Sequence, residues 1–149
     1  MKKLVNESLN EFMGQEISTK KGFFTNIEKD TLANEKFRKV LYTGENIQLV
    51  LMTLAPNEEI GQEVHENDQF FRFEGGEGKV TVNNSEYKVK DGDCVIIPAG
   101  SEHNIINTGS EPFKMYTLYA PPHHKDGTVH KTKEEAVEKE EEFDGKTSE

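Results

Sequence analysis

The run "GDCVIIPAGSEHNIIN", Gly92 to Asn107, decides the fold. Two short apolar stretches, "DCVIIPA" and "HNIINT", flank a break at Gly100, which is how two strands joined by a turn are written. The same grammar extends in both directions. From Phe37 the chain reads "FRKVLYT", "IQLVLMTLA", "EEIGQEVH", "QFFRFEG", "KVTVN" and "EYKVK" before this run, and "FKMYTLYA" after it. The breaks fall at Gly44-Glu45-Asn46, Pro56-Asn57, Gly75-Gly76, Asn83-Asn84, Asp91-Gly92 and Thr108-Gly109-Ser110. Eight or nine strands at such close spacing predict an all-β, antiparallel sandwich or barrel over residues 37–120.

The two ends read differently. Residues 1–36 form a polar arm with Phe12, Phe23, Phe24 and Ile27 as its anchors. Residues 121–149 form a loop and an acidic tail, in which Thr132 and Glu135 have the spacing of a capping box opening a short helix. The helix's apolar residues, Ala136, Val137 and Phe143, make a poor stripe, so a solvated, fraying tail is expected. Residues 131–149 carry eight acids against four lysines, −4 of the chain's −10, leaving the remainder mildly acidic. An acidic chain without a basic stripe does not neutralise phosphate, so neither nucleic acid nor an anionic membrane surface is an expected partner.

The first residues, "MKKLVNESLN", lack the apolar core of a leader, and no window reaches membrane-spanning length. A cytoplasmic protein is expected. The single cysteine, Cys94, admits no internal disulfide and reads as an inert core thiol. "GGEGKV" lacks the Ser/Thr and the helix of a phosphate loop, and reads as a tight hairpin.

Chemistry concentrates between Glu63 and Phe73. Strand alternation puts Glu63 and His65 on one face, and Gln69, Phe71 and Phe73 on one face. With Gln69 inward, the two phenylalanines wall an apolar pocket that carries one amide beside a Glu/His pair. Tyr116 and Tyr119 also count as pocket-lining residues, although their spacing lets only one of them face inward. His123, His124 and His130 cluster after Pro121-Pro122, where they read as a loop lid over the barrel edge or as a second metal site.

The spacing Gly92, Pro98, Gly100, His103, Asn107 is similar to the second motif of the cupin family, G-x5-P-x-G-x2-H-x3-N, at every defined position. The first cupin motif, G-x5-H-x-H-x3,4-E-x6-G, is resembled in part around His65, Gln69 and Gly76. Glu63 stands where the family has its first histidine, Gln69 stands where it has its glutamate, and Asn57 replaces the leading glycine.

The resemblance covers a little over half of the chain. It implies a double-stranded β-helix, or jelly-roll barrel, with a polar N-terminal arm and a short C-terminal helix outside the motif. It also implies a divalent metal held by Glu63, His65, Gln69 and His103. Two imidazoles, a carboxylate and an amide carbonyl suit Fe, Mn, Ni or Zn. The expected function is metal-dependent chemistry on a small polar or anionic molecule, by an isomerase or a dioxygenase. A non-catalytic binding or sensing protein is the alternative. Open sheet edges and an arm of phenylalanines without a home in a small barrel predict a homodimer.

Overall fold

The computed structural model describes Gly14 and residues 16–149 of the chain; Phe12, one of the expected anchors, lies outside them. Ten strands form two antiparallel sheets packed face to face. They are β1 (Arg38–Thr43), β2 (Gln48–Leu54), β3 (Glu63–Val64), β4 (Asp68–Gly75), β5 (Glu77–Val82), β6 (Ser85–Lys90), β7 (Cys94–Ile97), β8 (Glu102–Asn107), β9 (Phe113–Ala120) and β10 (Val129–His130). The larger sheet runs β10-β1-β2-β9-β4-β7 and the smaller β3-β8-β5-β6. This is the jelly-roll barrel, with the first nine strands at the nine runs read from the sequence.

Register sets the inner face. Across the larger sheet, Gln48, Tyr119, Gln69 and Ile97 lie in one row, Val50, Thr117 and Phe71 in the next, and Arg38, Met52, Met115 and Phe73 in a third. The apolar members of these rows, with Phe113, Val80 and Ile105, make the core. Phe73 stacks on Phe113 at 4.9 Å between ring centroids and lies parallel to Phe71 at 6.2 Å. Gln69, Phe71 and Phe73 thus share the interior, as alternation requires.

Four expectations change. "GGEGKV" is not a hairpin, because β4 pairs with β7 and β9 while β5 pairs with β6 and β8; the chain crosses between sheets there. Glycine is needed because a Cβ at Gly78 would lie 2.3 Å from the Phe113 ring, and one at Gly76 would lie 2.6 Å from the Pro112 carbonyl oxygen. Cys94 is exposed, since β7 is the edge of its sheet and Cys94 and Ile96 point off the outer side. The arm contains a helix, α1 (Ile27–Ala33), capped by the Asn26 side chain, which accepts from Lys29 N at 3.0 Å.

The tail is docked rather than free. Helix α2 (Lys133–Glu138) starts with Thr132 Oγ1 accepting from Glu135 N at 3.1 Å, and it buries Ala136 against the core. Beyond it, Phe143 N donates to His123 O at 3.0 Å and Ser148 N to Thr43 O at 2.8 Å. Glu149 accepts from Tyr42 Oη at 2.7 Å and from the amides of Lys21 and Gly22. Backbone groups hold this segment, so an apolar stripe is not needed. Among the described residues, no helix is long and apolar enough to cross a membrane. Truncation after Lys131 is expected to lower the melting temperature by on the order of 5–10 °C. An unchanged melting curve would show that these bonds add nothing to stability.

Candidate metal centre

Glu63 and His103 are cross-strand partners on β3 and β8, which brings their side chains together on the inner face of the smaller sheet. His65 follows β3, and its carbonyl accepts the Gly100 amide at 2.7 Å. A second bond, Ala99 N to Asp68 Oδ1 at 2.9 Å, pins the same turn to the start of β4. One donor atom from each of Glu63, His65 and His103 lies within 4.8 Å of the others. His65 Nε2 is 2.7 Å from Glu63 Oε2.

Two buried acceptors fix how the site can be used. His103 Nδ1 meets the Ser101 carbonyl at 2.9 Å, so that nitrogen carries the proton and Nε2 presents a lone pair. Gln69 Nε2 donates to Thr117 Oγ1 at 3.0 Å, which turns Oε1 the other way. His103 Nε2 and Gln69 Oε1 are both buried and have no hydrogen-bond partner among the described residues. Buried polar atoms are ordinarily satisfied. The orphaned His103 Nε2 beside a carboxylate and a second imidazole is the donor set a divalent cation takes, so these residues fit one, and the Gln69 carbonyl is a further unsatisfied oxygen on the facing sheet.

The surroundings tune these groups. Burial by itself would raise the Glu63 carboxyl, but the hydrogen bond from His65 and the nearby His65, Arg38 and His103 side chains outweigh it and hold the group below the usual range. Burial pushes the Tyr119 hydroxyl well up, Glu63 adds to this, and Arg38 opposes it. Tyr119 is 2% exposed and its hydroxyl lies 3.2 Å from His124 Nε2.

The histidine loop is part of this site. Gln48, fully buried, accepts from His123 N at 3.1 Å and His124 N at 2.9 Å and donates to His124 O at 2.8 Å, so one amide holds the loop's backbone. The His123 ring lies tilted with its centroid 4.3 Å from that of His65, and burial with His65 nearby pushes its pKa down to about 4. His65 and His123 also line an open groove of about 450 Å³ with Asn67, Pro122 and Phe143. His130 instead points to Arg38, 3.2 Å from its Nη1, so the three histidines form no common metal site.

Tyr116 is corrected as a pocket-lining residue: it pairs with Leu51 and Arg72, is partly exposed on the outer face, and packs near Phe70. The inward tyrosine is Tyr119. Sequence reading passed over Gln48 and Arg38 altogether; a glutamine opening an apolar strand was the available signal for the first.

Comparison with known proteins agrees with this geometry. Residues 50–119 match the family model described as the cupin domain. YrkC of Bacillus subtilis (strain 168) is 46% identical over 124 residues, 78% of this chain and 67% of its own length. The chain belongs to the cupin family. A protein of Acanthamoeba polyphaga mimivirus is 39% identical over 112 residues, covering 72% of this cupin and 70% of the relative. The crystal structure of BH2720 from Bacillus halodurans aligns at 41% identity with a TM-score of 0.79, over 81% of this cupin and 97% of that chain.

Two outcomes test the site. His65→Ala and His103→Ala should each sharply lower bound Mn(II) or Zn(II) while far-UV dichroism stays β-like, because the apolar core lies apart from these side chains; full metal in both refutes the ligand set.

The second outcome is a pH effect. Burial, with Arg38, His123, His130 and His65 nearby, pushes the His124 pKa down to about 2. The unfolded chain therefore binds a proton at this position, near pH 6.5, before the folded chain does. Its contribution to stability is intact above pH 6.5 and falls as pH drops, by up to about 1.4 kcal/mol per pH unit. His124→Gln should flatten the decline in urea-midpoint stability between pH 6 and 4. An unaltered slope would place the linkage elsewhere.

Proposed function

We propose that this cupin binds one divalent metal through Glu63, His65, Gln69 and His103 and promotes proton transfer on a small polar or anionic molecule, as an isomerase does. The observation that carries the metal part is the orphaned buried His103 Nε2 grouped with Glu63 and His65, with the unsatisfied Gln69 Oε1 as a further buried acceptor. A divalent cation there supplies Lewis acidity toward a ligand oxygen. The rest belongs to the chain. Tyr119 keeps its proton because it is buried beside an anionic carboxyl, so it can donate a hydrogen bond, or the proton itself, to a ligand. His124 orients that hydroxyl, and Gln48 fixes His124. Phe71 and Phe73, fully buried below Gln69, keep water out of the barrel floor.

Charge-swapping the two unusual ligands tests the metal reading. Gln69→Glu adds a negative charge at the same reach and should tighten Mn(II) or Zn(II) binding to metal-stripped protein. Glu63→Gln removes the carboxylate and should weaken it. Each shift should be at least about tenfold, the effect even of an outer-sphere partner; unchanged affinity in both variants removes this stretch as the site. For the chemistry, metal-loaded protein is incubated in D₂O with a panel of small hydroxy acids, oxo acids and sugars. Solvent deuterium should enter one of them, and Tyr119→Phe should abolish it. Binding without exchange or oxygen uptake would favour the non-catalytic binding protein.

We also propose a homodimer with the arm at or near its interface. Phe24 is 98% exposed and Phe23 45%, with Leu32 of α1 at 43%. Light scattering should give twice the chain mass, and deletion of residues 1–30 should shift it toward monomer.

A further inference from the structure

We propose that Arg38 is an anion-binding group of the barrel interior and that the ligand it holds is a small carboxylate. This rests on reading the barrel interior as the ligand site, and it names the class of molecule that enters.

Arg38 opens β1 on the inner face, in register with Met52 and, through it, with Met115. It is only 6% exposed. A buried guanidinium keeps its charge and is ordinarily matched by a carboxylate. Among the described residues no acid lies within ion-pair distance of Arg38. Its direct contacts are rings: Nη1 donates to His130 Nδ1 at 3.2 Å, and the head lies 5.3 Å from the Phe37 ring centroid. His130 is set to accept, because its Nε2 faces the Lys139 carbonyl at 3.3 Å. Nε of Arg38 is buried without any partner.

The charge is directed into the site. It acts on Glu63, Tyr119, His123 and His124, which surround the metal cluster from β3, β9 and the histidine loop. Glu63 balances one positive charge, so a divalent cation and Arg38 together leave the interior with a positive surplus. An uncompensated buried charge is costly, and an entering anion relieves it. With Nη1 committed to His130, the Nε side of the guanidinium remains, an edge that can grip the two coplanar oxygens of a carboxylate through parallel N–H bonds. One planar edge suits a carboxylate better than a tetrahedral phosphate, which needs donors from several directions.

Malonate, uncharged malonamide and inorganic phosphate are titrated calorimetrically into the full chain, metal-free and Mn(II)-loaded. Malonate should bind both forms. Arg38→Met, which keeps bulk without charge, should weaken malonate at least tenfold in the metal-free protein and leave Mn(II) affinity equal or tighter, since a repelling cation is gone. Arg38→Lys, which keeps the charge without the fork, should fall in between. Malonate bound as well by Arg38→Met as by the native protein overturns the proposal. So does malonamide binding as tightly as malonate in the native protein, a comparison that stands even if the variants do not fold. Absence of malonate binding at millimolar concentration overturns it too, and phosphate binding tighter than malonate overturns the carboxylate class. Mn(II) failing to bind while malonate still depends on Arg38 sinks the metal reading and supports this one.

Discussion

Gly100 donates its amide proton to the His65 carbonyl over 2.7 Å, and that bond joins the turn between β7 and β8 to the link between β3 and β4. Everything in the site hangs from this junction. On one side the chain turns through Ser101, whose carbonyl fixes the His103 ring. On the other it fixes His65 just after β3, which carries Glu63, and hands Gln69 to the opposite sheet. Gly100 sits at φ +82°, a conformation that residues with a Cβ rarely adopt, so the glycine and the histidine three residues later form one device. Asn107 closes the other end of β8: its side chain donates to Leu54 O and Glu111 O and accepts from Gly109 N. The motif spacing therefore encodes a strand fixed at both ends with His103 near its start.

A second layer of amides determines how the outer parts attach. Gln48 holds the histidine loop by its backbone, and Asn67 Nδ2 donates to Pro121 O at 2.6 Å. The tail then adds backbone bonds to that loop and to β1. Polar side chains buried among apolar strands are high-stakes, because unmade bonds cost more than made ones return. Gln48 is completed by protein, whereas Gln69 and Arg38 each keep a buried polar atom without a partner among the described residues.

Much of this was legible in the residues. Turn chemistry marked the first nine strands, and alternation put Gln69, Phe71 and Phe73 inside together. What stayed hidden depends on strand order, which local pattern does not carry. Cys94 looks like core because Val95, Ile96 and Ile97 follow it, yet β7 is an edge and every second residue leaves the fold. "GGEG" looks like a hairpin because two strands flank it, yet those strands belong to different sheets. Arg38 reads as an ordinary polar strand residue until β10 is laid beside it, and β10 has only two residues. The docked tail is not legible in the sequence because its attachments are main-chain bonds and single polar side chains meeting distant residues, which composition does not reveal.

The Gln69–Thr117 contact has a consequence for how such sites diversify. A hydroxyl can donate or accept, so Thr117 can satisfy an amide nitrogen or, after a rotation about its C–O bond, a carboxylate oxygen in the same place. Gln and Glu codons differ by one base. The barrel interior can therefore gain or lose a full negative charge in one mutational step while Thr117 still satisfies the side chain.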